Sequence, residues 1–273
     1  MSSTKLLAKK IRLESAKMIL ARGYGHLGSF SIVEVLAVLY DKYMKIDTSN
    51  PNCKDRDYLI LSKGHCTISH YAALALKGFF PVEDLYTFNQ NGAYLSTHPN
   101  RLKIPGIDST SGSLGQGLSI AAGIAVGLKT QNKDNSVYCI IGDGECQEGQ
   151  IWEAFYTASK RKLNNLIFFI DNNKKQCDGN TADVSCELDF EPIKNLFGFY
   201  FQRVDGHDVD AIDTAIQNAK KQDVCSVIVL DTVKGYGVPC FESIEHNHHV
   251  KINTEEIKKQ LSKFIKDEED TLC

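Results

Sequence analysis

What most constrains this chain is a pair of apolar segments that each stop at a short polar loop, one helix apart. VYCII (137–141) runs into Gly142-Asp143-Gly144, and LIFFI (166–170) ends at Asp171-Asn172-Asn173. Between Gly144 and Asn172 lie residues 145–171, 27 in number, which is enough for one crossover helix. In a parallel sheet such a unit puts both strand ends side by side at the carboxyl edge, where ligands bind. Asp143 and Asn173 are therefore expected to converge on one point. Their carboxylate and amide oxygens are hard donors that suit Mg²⁺ or Ca²⁺ held together with a phosphate. The glycines admit a diphosphate close to the backbone, and the helix that follows offers free N–H groups at its start.

YLILS (58–62), YFQRV (200–204) and SVIVLDTV (226–233) read as further strands, mostly short continuous apolar runs of the kind buried on both faces. Helical patterns separate them. Leu6, Leu7, Ile11, Met18 and Ile19 mark an amphipathic helix near the N-terminus. Ser31 and Glu34 have the spacing of a capping box, with Ile32, Val35, Leu36 and Leu39 at helical spacing around it. Ile151, Trp152, Phe155, Ala158 and Ser159 make another helical face. Asn253 and Glu256 open a last helix that turns Ile257, Leu261, Phe264 and Ile265 inward. Alternating β and α segments predict an α/β fold: a doubly wound, mostly parallel sheet with helices on both faces. No low-complexity linker or repeat divides residues 1–273, which read as a single domain.

Composition excludes some roles. A net charge of -3 without a dense Lys/Arg cluster argues against a nucleic-acid partner. No apolar run approaches membrane-spanning length, which argues against a membrane role. Residues 1–20 lack the apolar core of a signal peptide, so the expected location is cytoplasmic. Nine scattered cysteines with no C-x-x-C pair fit reduced thiols better than a disulfide framework or a zinc site. Cys139 and Cys225 fall in strand patterns and are expected in the core. Cys66 and Cys146 fall inside polar loops and are expected near a ligand.

In SGSLGQGLSIAAGIAVGLK (111–129), Gly115, Ser119, Gly123 and Gly127 recur every four residues and share one helix face. Each glycine weakens a helix by about 1 kcal/mol relative to alanine. Such a cost implies a neighbour packed close to the backbone, either within the domain or across a subunit interface.

Histidine can move protons near neutral pH. Four of the eight lie in separate loops: His26 in GYGHLGSFS, His65 in LSKGHC, His98 in STHPN and His248 in EHNHHV. Together they read as the lining of one pocket. His70, His207, His246 and His249 read as structural.

With these residues in view, the chain resembles the N-terminal, diphosphate-binding half of transketolase. GHLGSFS around His26, SKGHC around His65, His98-Pro99, GSLGQG (112–117), GDGECQEGQ (142–150), DNN (171–173), and GYGV followed by His248 stand in family order. Oxo-acid dehydrogenase α subunits share GDG…NN but lack this set of histidines, and deoxyxylulose-phosphate synthases differ at GSLGQG. The resemblance implies thiamine diphosphate with Mg²⁺ (or Ca²⁺). It implies that Asp143, Asn173 and the backbone carbonyl of Lys175 ligate the ion, although Lys174-Lys175 replaces a more usual apolar residue there. Gly144 and His65 would contact the diphosphate, and Gly112 and Leu114 would hold the cofactor bent. His26, His98 and His248 (or His249, by a one-residue slip) would face the reacting carbon and the sugar hydroxyls. Glu148 would meet its counterpart across a dimer.

A complete transketolase carries two further domains, and the family's activating glutamate lies in the second. The resemblance therefore implies a split enzyme. This chain would be its N-terminal subunit, and the partner would be a C-terminal transketolase subunit. Self-association through the diphosphate-domain surface would then give a heterotetramer. The implied reaction moves a two-carbon ketol (glycolaldehyde) unit between a ketose phosphate and an aldose phosphate, as in the pentose phosphate pathway. Two alternatives stay open: thiamine chemistry on another ketose or an oxo acid, and a non-catalytic cofactor-binding subunit.

Overall fold

The computed structural model describes residues 1–272. In chain order its strands are β1 (Tyr24–His26), β2 (Tyr58–Leu61), β3 (Val137–Gly142), β4 (Leu166–Asn172), β5 (Tyr200–Asp205), β6 (Ser226–Asp231) and β7 (His249–Lys251). Five of them form one parallel sheet in the order β2-β3-β4-β6-β5. Helices cover both faces, as the alternating pattern predicts. Tyr138, Ile140, Phe169, Ile228 and Leu230 join a core under helices 3–22, 33–38, 67–77 and 209–219. Their strand neighbours Cys139, Ile141, Phe168, Ile170 and Val229 join a second core under helices 116–130 and 149–160. The runs look continuous in sequence because both period-2 sets are buried.

Three expectations about strands change. β5 is an edge strand and only half-buried, with Arg203 reaching out to Asp231 at 2.7 and 2.8 Å. β6 stops at Asp231, before the apolar pattern does: Thr232 N still reaches Asn172 O (3.4 Å), but Val233 N–H turns away to the His207 ring (2.8 Å). β1 and β7, which no apolar run announces, form a small antiparallel ribbon that pairs His26 with His249.

Helix caps also differ. Ser31 and Glu34 form no capping box. Ser31 lies in a 3₁₀ segment, where its hydroxyl lies within bonding distance of Gly28 O (2.9 Å) and Asp171 (2.8 Å), and Glu34 pairs with Arg12. The last helix begins at Glu255 and is capped by Thr254, which accepts from Ile257 N (3.3 Å), not by Asn253. Leu261 and Ile265 are buried as expected. In helix 116–130 the four-residue stripe is not the packed face. Gly115 precedes the helix, and a Cβ on Gly123 or Gly127 would meet nothing within 4 Å. The close approach is at Gly117, where a Cβ would run into Ser62. Ile120 and Gly123 turn outward, so packing within this chain does not explain the stripe.

Candidate active site

Loops from separate parts of the chain meet above the carboxyl edge of the sheet and enclose a cavity of about 390 Å³. His26, His65, His98 and His248 all line it. The ring of His26 lies 5.4 Å from His65, 5.4 Å from His248 and 6.4 Å from His98, and His65 lies 4.9 Å from His248. Backbone bonds stitch the loops together: Leu27 N donates to His248 O (3.3 Å), and Gly235 N donates to Leu27 O (3.2 Å). His98 is placed by Thr67 and Tyr71, whose hydroxyls hold Thr97 O and Ser96 O at 2.9 Å. Gly112, at φ 151, passes so close that a Cβ there would sit 3.0 Å from the His98 ring. His249 is also near His26 (4.7 Å) but is exposed and outside the cavity lining. His248 is thus the cavity histidine of the pair.

Gly142 stands opposite Asp171 in the β3–β4 register, so Asp143 and Asn173 emerge side by side. Asp143 is buried and accepts from Thr181 Oγ1 at 3.1 Å. The Asn173 amide nitrogen donates to Asp171 (2.8 Å), which leaves its oxygen to accept from Lys175 N (3.1 Å). Asp171 orients this loop: it also binds Lys63, Ser31 and Thr232. The Lys175 carbonyl accepts from Lys234 Nζ at 2.7 Å. Glu148 lines the cavity at its exposed rim, at the head of helix 149–160, and Leu114 is exposed there too. The cavity cysteine is Cys177. Cys66 and Cys146 are fully buried behind the lining, Cys66 in one core with its thiol beside Lys63 and Cys146 in the other. Cys139 and Cys225 are core residues as expected, all eight described cysteines are free, and Cys273 lies outside the described residues.

Sequence reasoning missed Lys63 and Lys234, both buried and both lining the cavity. Their only local signal is a lysine directly before glycine at a strand end, in SKGH and VKGY. Burial and the nearby Lys63 ammonium depress Lys234 to about 8. Burial works against the charge of Lys63 too, but Asp171 outweighs it and holds the ammonium on. Burial, with the neighbouring histidines, lowers His26 to about 3, and burial with Lys234 and Lys63 lowers His248 to about 4. Burial holds His65 well below its usual range. Asp143 is raised, by burial first and by Asp171 second. The cavity therefore pairs two buried lysines with three imidazoles, His26, His65 and His248, that burial keeps from protonating. His248 Nδ1 is buried without a partner, which leaves polar capacity for a ligand.

The sequence matches the family described as "Transketolase, thiamine diphosphate binding domain" over residues 3–271. The chain belongs to the transketolase family. Among curated relatives it is 44% identical over 261 residues to the 6-deoxy-6-sulfo-D-fructose transketolase subunit SqwG of a Clostridium species, covering 95% of this chain and 94% of that one. It is 33% identical to one of the apulose-4-phosphate transketolase subunits of Actinobacillus succinogenes, covering 89% of this chain and 88% of that one. Among solved structures it matches the transketolase of Campylobacter jejuni with a TM-score of 0.88 at 29% identity, over 97% of this chain and 43% of that one. The chain thus spans less than half the length of that solved transketolase.

A transketolase diphosphate-binding domain calls for thiamine diphosphate, and this cavity fits one. Lys63 and Lys234 offer positive charge, Gly144 brings backbone to the lining without a side chain, and His248 Nδ1 is unpaired. Among the described residues no three His, Cys, Asp or Glu side chains cluster as metal ligands. The donors here are one carboxylate, one amide oxygen and one carbonyl, a set that an ion would complete with phosphate oxygens.

Proposed function

We propose that this chain is the cofactor-binding subunit of a two-chain transketolase, which moves a two-carbon ketol unit from a ketose to an aldose phosphate. The observation that carries it is the meeting of four imidazoles, two buried lysines and the Asp143–Asn173 pair in one cavity. Thiamine diphosphate, when bound, supplies the carbanion chemistry. Asp143, Asn173 and the Lys175 carbonyl would hold Mg²⁺ or Ca²⁺, which would bring the diphosphate to this edge. Lys63, Lys234 and His65 take the diphosphate, and Gly112 and Leu114 support the rest of the cofactor. Burial keeps His26 and His248 from protonating, His98 stands exposed at the mouth, and the three orient sugar hydroxyls and move their protons.

A separate C-terminal subunit is favoured because the relatives named as subunits match this chain along nearly their whole length. Self-association would cover the outward face of Ile120 and Gly123 and bring the exposed Glu148 to its counterpart. The sugars named for those relatives favour looking beyond pentose phosphates, and the 44% identity favours a 6-sulfonated ketose as the first donor to try. The test is to mix the purified chain with a candidate C-terminal subunit, Mg²⁺ and thiamine diphosphate. Ketol transfer is then assayed from 6-deoxy-6-sulfo-D-fructose and from fructose 6-phosphate. Transfer that needs both chains is expected. Full transfer by this chain alone would overturn the two-subunit reading.

A further inference from the structure

The loop after β6, residues 232–237, is gripped from outside the cavity by a cluster that none of the roles above uses. Val233 N–H donates to His207 Nε2 at 2.8 Å. A backbone N–H can only donate, so Nε2 is the lone-pair nitrogen and Nδ1 carries the proton. Nδ1 lies 3.3 Å from Glu34 Oε2, to which it donates. The imidazole stacks on Tyr236, with centroids 3.4 Å apart and 12° between planes. The other Glu34 oxygen takes the Arg12 guanidinium. Arg12 Nε in turn donates to Tyr236 O at 3.1 Å, and the guanidinium lies over the Tyr236 ring. Arg12 fills the space that a Cβ on Gly237, at φ 78, would need. Glu34 is buried, and an unpaired carboxylate there would be costly.

The next residue along, Lys234, faces the opposite way. Its ammonium lines the cavity, and its carbonyl is held by Asn247 Nδ2 at 3.1 Å. A lysine ammonium on a four-carbon stem is placed only as well as its backbone is. A loop already ordered avoids an ordering cost when a ligand binds.

We propose that His207, oriented by Glu34, is a positioning residue that sets Lys234 for the diphosphate, acting through the Val233 amide. This rests on the reading of the cavity as a diphosphate site. The test uses the chain assembled with its partner subunit, and thiamine diphosphate affinity measured by calorimetry with saturating Mg²⁺. His207→Phe keeps the stacking but removes the acceptor. It should weaken affinity by about tenfold, the scale of one lost hydrogen bond, while turnover at saturating cofactor stays within about twofold. His207→Gln, which can accept from Val233 and donate to Glu34, should recover most of the loss. In a Lys234→Met background His207→Phe should add nothing further. A full additional loss in that background, or unchanged affinity in His207→Phe, would overturn the proposal. Unchanged affinity in Lys234→Met alone would overturn the diphosphate reading along with it. Amide exchange of residues 233–236 in the single chain gives a readout without cofactor: it should quicken in His207→Phe, and an unchanged rate counts against the clamp.

Discussion

Two hollows lie at opposite ends of the same strands. At the amino edge a cavity of about 530 Å³ is lined by Lys129, Lys133, Ser136, Asn164 and Lys220, among others. At the carboxyl edge the smaller cavity, about 390 Å³, holds the histidines and the Asp143–Asn173 pair. Lys129 and Lys220 at the amino edge are exposed, and each already holds a neighbour: Lys129 holds Lys162 O (2.9 Å) and Lys220 holds Ser136 Oγ (3.0 Å). At the carboxyl edge Lys63, Asp143, Glu145, Asn173 and Lys234 are buried. Taking charge out of water costs several kcal/mol per ion unless it is matched. Burial of charge, more than volume, distinguishes a site from a surface dent. Alternating strand and helix leave both edges open, but only the carboxyl edge gathers the loops that follow strands.

The largest effect should come from Asp143. Asp143→Ala removes the only carboxylate among the three expected metal donors, Asp143, Asn173 and the Lys175 carbonyl, and metal-dependent cofactor binding in the assembled enzyme should be lost. Unchanged affinity in a calorimetric titration would erase the distinction between the two edges.

Next in size are the imidazoles. His26→Ala or His98→Ala should reduce turnover by about 10²–10⁴-fold with a smaller effect on cofactor affinity, the range for a general acid–base group. His65→Ala should do the reverse and weaken cofactor binding. Steady-state turnover and cofactor affinity, measured on each variant, separate the two outcomes.

Burial of imidazole should also make the folded protein acid-sensitive. His70, in the core with Tyr40, is lowered by burial to about 3. A base with a depressed folded pKa binds fewer protons in the folded state, so its contribution is intact above the unfolded value near 6.5 and is lost as pH falls toward 3. For His70 alone this amounts to about 2 kcal/mol between pH 7 and pH 5. Thermal melts across that window should show a shallower pH slope in His70→Gln. An identical slope would remove His70 from the account.

The smallest effect belongs to the amino edge. Lys129→Ala and Lys220→Ala should leave turnover unchanged and shift Tm by no more than about 2 °C. A large loss of turnover in either would mean that the wrong hollow has been chosen.

Much of the fold and part of the site are legible in the amino-acid sequence. The ends of β3 and β4 are written locally, as apolar runs that stop at Gly142-Asp143 and Asp171-Asn172. The crossover rule then places those ends together on one edge. His26, His65 and His98 stand out because each sits in a polar loop beside glycine or proline. Other features are out of reach. Ser31 and Glu34 spell a capping box, yet Ser31 bonds Asp171, 140 residues away, and Glu34 bonds His207, 173 residues away. A capping box is a local preference, and these partners override it.

What the amino-acid sequence determined by itself is the alternation of the five sheet strands with helices, the edge at which the loops after those strands gather, and the residue types brought there. Those follow from short-range periodicity and from chain handedness, which are properties of neighbouring residues. Only the tertiary structure decided that Lys63 and Lys234 form the cavity floor, that His248 and not His249 faces inward, and that Cys177 replaces Cys66 and Cys146 at the lining. Each of these turns on a contact between distant segments, such as Lys63 with Asp171 or the β1–β7 ribbon. A lysine before glycine looks like a surface residue until the fold brings a buried carboxylate to meet it.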